Sequence, residues 1–350
     1  MPAYVARPAI ALPEHVVTTD DICDDIERHH ADHPKLGTYL RVARASGVRS
    51  RRFTRPLDSP TVSGGARIKE RNLVAFEDCA RLAAEAARQA LANADLEPSD
   101  IDSVVTSHTT SWTTPGLDVH LINALGLRPD VRRTPMASLG CGGGAQALAR
   151  AADEIMARPD SRVLVVAAET LSTIYRHEDT DLSSMIYKAL FGDGAGACVV
   201  TGERRGPGLR IDGSWEYLLP NSLDRYWCRV DELGLHFDST RKAVAAAGEV
   251  LPELLGRLKT VGFASPPEWA VVHAGGPRIL DDMARGLGID EKVLRHSWNS
   301  MENSGNLGGV SVLDVLARTY EEPPEANARG LLVAFGPGFF TTACHGVWSS

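Results

Sequence analysis

The chain has no Cys-x-x-Cys pair, so zinc-ribbon and redox-dithiol readings find no support. No apolar run approaches the ~20 residues that a membrane helix needs. The N-terminus, Met1-Pro-Ala-Tyr-Val-Ala-Arg-Pro8, lacks a charged segment followed by an apolar stretch, so no secretory start is expected. Basic residues do not outnumber acidic ones: 37 Lys and Arg stand against 45 Asp and Glu, a net charge of -8. That balance gives no support to nucleic-acid binding. The six cysteines, Cys23, Cys79, Cys141, Cys198, Cys228 and Cys344, are scattered. Free thiols in a reducing cytoplasm are the expectation.

At 350 residues the chain can bury a large core in two domains or one two-lobed unit. Its elements alternate. A helix over 75–94 leads to a strand at 102–107, then a helix at 117–125. Continuous apolar strands follow at 162–168 and 196–201. The second half alternates in the same way, with a helix over 241–261, a strand at 269–273, a helix at 279–287 and a strand at 330–335. Such alternation predicts α/β architecture, with helices over mostly parallel sheets.

The most informative segment runs from Met136 to Leu148. An apolar strand is expected to end there in a tight turn, with Cys141 at the start of a helix. Gly142, Gly143 and Gly144 follow the thiol and let other groups approach it. A helix N-terminus favours the thiolate. This is a cysteine version of the nucleophile elbow, although a small buried cysteine in a strand–helix turn has the same signature. A faint internal repeat sets Gly140–Leu148 beside Gly305–Leu313. Two facing lobes would bring Cys141 and Asn306 to one site. His273 ends an apolar strand, where sites collect in α/β sheets. Asn306 reads equally as a turn residue or as an amide aimed at an oxyanion.

Five segments in order carry a family resemblance: Leu139–Gly143, Ala189–Gly196, Val272–Leu280, Ser304–Gly308 and Ala334–Gly338. With them the chain resembles the type III polyketide synthases, the chalcone-synthase-like branch of the thiolase superfamily. The N-terminal Arg7–Val17 is most similar to bacterial members of the tetrahydroxynaphthalene synthase type. The resemblance implies a five-layered αβαβα thiolase fold with two pseudo-duplicated halves, at 1–205 and 206–350. It implies a cytoplasmic homodimer that takes an acyl-CoA starter and malonyl-CoA as substrates, with no cofactor, no metal, no nucleic acid and no membrane.

The resemblance also assigns roles. Cys141 falls on the nucleophile, His273 and Asn306 on its catalytic partners. Phe191 and Phe237 fall on the gate between the coenzyme A tunnel and the cavity. Thr173, Cys228, Gly308, Thr109, Thr110 and Thr114 fall on cavity positions. Arg49, Arg51 and Arg52 fall near basic contacts to coenzyme A. A Cys141–His273 ion pair with a standing thiolate is expected. Four departures bear on the product: the all-glycine turn after Cys141, Trp112 in the 109–114 segment, the absence there of the extra cysteine of the tetrahydroxynaphthalene synthases, and Leu307-Gly-Gly309 after Asn306. Two other readings stay open: a ketoacyl-synthase III-like enzyme making one condensation or only transferring acyl groups, and a non-catalytic thiolase-fold partner protein.

Overall fold

The structure, a computed structural model, describes residues 2–350. One ten-stranded mixed sheet runs through the molecule. Its first half holds, in spatial order, Arg132–Ala137, Ser103–His108, Arg162–Glu169, Gly194–Thr201 and Ala3–Val5. Its second half continues through Gly208–Leu218, Phe340–Ser349, Arg329–Gly336 and Trp269–Val272. Reading each half inward from its outer edge gives the same order of chain connections. Among the described residues, the second half lacks counterparts to the edge strand Arg132–Ala137 and to the tenth strand, Ala9–Ala11, which pairs with Gly194–Thr201 in the first half. The strand Ala3–Val5 pairs with both halves and joins them.

The pairing corrects the expectation of mostly parallel sheets. Ser103–His108 is parallel to both its neighbours, and Trp269–Val272 is parallel to Arg329–Gly336. The other pairs are antiparallel. For one of these pairs the reason is connection length. Only Pro337, Gly338 and Phe339 separate Arg329–Gly336 from Phe340–Ser349, and so short a link permits only a hairpin.

Period-two alternation in the apolar strands builds the layers. Val104, Leu164 and Val166 pack against the outer helix Ile68–Asn93. Val105, Val163 and Val165 turn the other way, onto the central helix Gly143–Ala157. That core also takes Val312, Leu313 and Leu316 of the helix Ser311–Glu321, and Val271 and Leu332 of the second half. On the far side Val272, Leu331 and Val333 meet Val250 and Leu254 of the helix Ala246–Thr260, with Leu280 and Met283 of Pro277–Leu287. Helix, sheet, central helices, sheet, helix: these are the five layers. The strands read as continuous apolar runs because both faces are buried.

The two central helices open alike. A 3-10 turn at Gly140–Gly142 feeds Gly143–Ala157, and one at Gly308–Val310 feeds Ser311–Glu321. After each helix comes a buried strand. The expected helix over 241–261 opens in the same manner, as a 3-10 turn at Arg241–Ala245 before Ala246–Thr260. No helix of the described residues is long and apolar enough to cross a membrane.

Candidate active site

The strand before Cys141 is not apolar, as the sequence suggested, but the exposed edge strand Arg132–Ala137. From there Ser138 and Gly140 take positive φ, 62° and 48°, and swing the chain into the turn that carries Cys141. A non-glycine residue in this region marks a constrained elbow. Thr109 braces it: its hydroxyl accepts from the Gly140 amide at 3.0 Å. Steric space explains the three glycines that follow. A Cβ on Gly142 would strike the Phe340 ring, one on Gly143 the Ser107 hydroxyl, and one on Gly144 the Gly309 carbonyl.

His273 follows the strand Trp269–Val272, and its amide still donates to Val333 at 2.9 Å, so the ladder fixes its backbone. Asn306 is set by a parallel bridge to Phe191: its amide donates to Leu190 and its carbonyl accepts from Gly192. The Asn306 side chain stands between the other two groups. Its Oδ1 accepts from the Gly308 amide at 2.9 Å and lies 3.1 Å from His273 Nε2. An amide N–H can only donate, so the oxygen faces Gly308. His273 therefore carries its proton on Nε2, and Asn306 Nδ2 points to Cys141 Sγ, 3.8 Å away.

Burial bears on the expected ion pair. Burial pushes the Cys141 thiol up to about 12, only partly offset by the Asn306 hydrogen bond, and Glu169 adds to the rise. Burial pushes His273 down to about 4, against the opposing pull of Asn306. Either charge alone is disfavoured in an apolar enclosure. Burial thus works against each charge taken singly.

Cys141, His273 and Asn306 lie together on the wall of a cavity of about 350 Å³. Most of its other walls are apolar, among them Ile186, Tyr187, Tyr226, Val244 and Phe339. Phe191 and Phe237 both line it, edge to face with ring centroids 5.4 Å apart. Among the described residues Arg241 is the one Lys or Arg in its walls, a residue that sequence reading missed. No motif marks it; only the tertiary fold brings it there.

The other expected cavity residues are placed elsewhere. Thr109 and Cys228 line a neighbouring cavity of about 390 Å³, which shares Tyr226 and Trp227 with the first. Cys228 sits opposite Phe237 in the hairpin Tyr226–Asp231/Gly234–Ser239. Thr114 lines a surface pocket beside Trp112 and Met136. Thr110 is buried, accepting from the Thr170 amide. Thr173 is buried, with its carbonyl held by Arg71. Gly308 has φ 60°, and a side chain there would meet Glu169 and Leu171, not the cavity.

The arginines expected near coenzyme A are held by protein partners. Arg51 is fully buried and bonded to Val17, Thr19 and Ala189, so it holds the fold. Burial lowers it to about 10. Arg52 donates to the Glu14 carbonyl. Arg49 pairs with Asn303 and Glu302. None of the three lines the cavity.

Glu169 is a second omission. It ends the buried strand Arg162–Glu169, where a lone carboxylate after an apolar run was the available signal. Its Oε2 accepts from the Thr109 amide at 3.1 Å, while Oε1 is buried without a partner. Burial raises it to about 8.

A thiol, an imidazole and an amide converging on an apolar cavity, at the junction of two thiolase-type halves, define an acyl-transferring condensing enzyme. Residues 3–204 match the N-terminal domain model of the chalcone and stilbene synthases, and residues 210–345 the C-terminal one. The chain is 36% identical to the 1,3,6,8-tetrahydroxynaphthalene synthase of Streptomyces griseus, covering 99% of this chain and 93% of that one. It is 34% identical to the phloroglucinol synthase of Pseudomonas fluorescens, over 98% of each. Among solved structures, the tetrahydroxynaphthalene synthase of Streptomyces coelicolor superposes with a TM-score of 0.94 at 34% identity, covering 99% of both chains. Germicidin synthase from the same organism gives 0.93 at 32%, covering 99% of this chain and all of that one. The chain belongs to the chalcone and stilbene synthase family. It is a type III polyketide synthase, an acyltransferase.

Proposed function

We propose that the chain loads an acyl-CoA starter on Cys141 and extends it with malonyl-CoA by decarboxylative condensation. One observation carries this reading: Asn306 links the Cys141 sulfur to His273 Nε2 on the wall of an apolar cavity. In loading, Sγ attacks the thioester carbon, the C–S bond to coenzyme A breaks, and the thiol proton leaves with the coenzyme A sulfur. His273 is suited to relay it. Malonyl-CoA then loses carbon dioxide, and negative charge develops on its thioester oxygen. The Nε2–H of neutral His273 and the Nδ2–H of Asn306 donate to that oxygen. The enolate carbon attacks the Cys141 thioester carbon, the C–S bond to Cys141 breaks and its sulfur takes up a proton, and the chain, two carbons longer, is left on the coenzyme A that brought the malonyl unit.

Phe191 and Phe237 form the gate in this reading, and Arg241 is the cation best placed to meet a phosphate of coenzyme A. No cofactor is required by these steps. A homodimer is supported by the open edge strand Arg132–Ala137 and by Trp112, 44% exposed beside it. The two functional halves divide near residue 205, where the repeated strand order begins again. A cytoplasmic setting fits six free cysteines.

The test is incubation with malonyl-CoA and a panel of acyl-CoA starters, with products identified by mass spectrometry. Products carrying two or more malonyl-derived units support the reading. Single condensation or none with every starter sinks it.

A further inference from the structure

Tyr187 stands just before the Ala189–Gly196 segment, and no sequence motif marks it. It lies on the helix Leu182–Leu190, whose end delivers Phe191 to the site. The Tyr187 and Phe191 rings stack with centroids 5.1 Å apart, and Tyr187 meets Phe237 edge-on at 6.2 Å. All three rings line the Cys141 cavity. Tyr187 thus enlarges the pair of gate rings to a cluster of three.

Its hydroxyl differs from three others in the wall. Tyr226 donates to the Ala243 carbonyl, Thr240 to that of Asp224 and Ser183 to that of Ser239. The Tyr187 hydroxyl is buried with no hydrogen-bond partner, on a residue only 6% exposed. The Ser239 side chain comes close enough to favour the charged phenol but makes no hydrogen bond with it. Burial is the larger influence and holds the phenol well above its ordinary range, so it is a neutral O–H donor. The Cys141 sulfur is near enough for its charge to add to that rise. A buried donor left unpaired is unfavourable, and a ligand that brings an acceptor relieves it.

We infer that the Tyr187 hydroxyl is a specificity-determining donor to a keto oxygen of the acyl chain held in the cavity. The inference rests on the loading and extension proposed above. The chemistry of the chain selects the ligand. A saturated starter has one carbonyl, that of the thioester, and His273 and Asn306 are the donors for that oxygen. Each condensation leaves a keto group β to the thioester. Only an extended chain therefore offers a second acceptor. A donor waiting for it favours a β-ketoacyl chain over a saturated one of equal length, because the saturated chain leaves the hydroxyl unpaired. The result is a bias toward further extension once the first condensation has occurred.

The test compares acetoacetyl-CoA with butyryl-CoA, which match in chain length and differ by one keto oxygen. Binding is measured by calorimetry on Cys141→Ala protein, so that no acyl group passes to the sulfur. Tyr187→Phe in that background removes the hydroxyl and keeps the ring. The parent should prefer acetoacetyl-CoA by ~5–10-fold, and the Phe variant should lose most of that preference. Thermal unfolding without ligand is the second readout. A hydroxyl with no partner adds nothing to the empty fold, so Tyr187→Phe should be at least as stable as the parent. Equal binding of the two thioesters by the parent, or an unchanged preference in the variant, overturns the inference and leaves the proposed loading intact. A variant that unfolds several degrees lower also overturns it, by assigning the hydroxyl to a partner within the fold. If neither thioester binds, the substrate reading falls and the inference with it.

Discussion

The Cβ that Gly144 lacks would overlap the carbonyl oxygen of Gly309 and stand 2.8 Å from Val312 Cγ2. The two halves of the protein meet here, backbone to backbone. Gly309 in turn faces Gly140, whose carbonyl oxygen lies 3.1 Å from where a Gly309 Cβ would stand. This contact holds the Cys141 turn against the Asn306 turn. Gly144→Ala should push them apart, at a cost of ~1–3 kcal/mol in stability. Condensing activity should fall by more than that loss explains, because Cys141 and Asn306 separate. Chemical denaturation alongside product formation checks it.

Decarboxylation and loading should come apart by mutation. Cys141→Ala should abolish starter loading and all product. His273→Ala and Asn306→Ala each remove a donor to the enolate oxygen, a loss of about 3–4 kcal/mol or ~100–1000-fold. Carbon dioxide release from malonyl-CoA measures it. Near-wild-type release in both donor variants would contradict their roles.

Burial of the Cys141 thiol has a kinetic signature. Burial raises the Cys141 thiol to about 12 and lowers His273 to about 4, which opposes thiolate at neutral pH. Iodoacetamide labelling of Cys141 should climb from pH 7 to pH 9, without a plateau in that window. A plateau already reached below pH 7 would restore the standing ion pair.

Glu169 should make stability depend on pH. Its folded value, about 8, lies above the ordinary 4.5. The unfolded chain therefore loses this proton first as pH rises. The contribution to stability is full below about 4.5 and is lost as pH passes through about 8. Glu169→Gln, which stays neutral, should gain on the parent between pH 5 and pH 8. Parallel urea titrations across that range test it, and a constant difference would refute it.

Product length should respond to the cavity walls, not to Gly308. A leucine at Gly308 would meet Glu169 and Leu171 and would suffer the positive φ, so Gly308→Leu should mainly destabilise. Ile186 lines the cavity and is only partly buried by its neighbours. Ile186→Trp should shorten the longest product while leaving Cys141 labelling and malonyl decarboxylation intact. Unchanged product lengths across several starters would rule Ile186 out as a wall of the growing chain.

The sequence by itself determined the layered α/β architecture, because strands covered on both faces must be apolar throughout and helices must follow them. It also singled out Cys141, His273 and Asn306. Each sits in a local motif whose turn or strand end is written in neighbouring residues. Phe191 and Phe237 belonged with them through family pattern. What it could not hold was the direction of side chains that no local motif fixes. Arg51 lies in a run of arginines that reads as surface, yet the pairing of His15–Thr18 with Ser50–Phe53 sends it inward to the Ala189 carbonyl. A strand's side chains alternate between two faces, and only packing decides which face is solvent. Gly308 and Cys228 followed the family's outline, but a few ångströms of backbone separate the wall of one cavity from the next. The protonation of Cys141 was likewise undecided by its motif. Helix start and histidine favour the thiolate, while burial opposes it, and burial is set by residues from the whole chain. The meeting of Tyr187 with Phe237 in the cavity wall belongs to the tertiary structure alone.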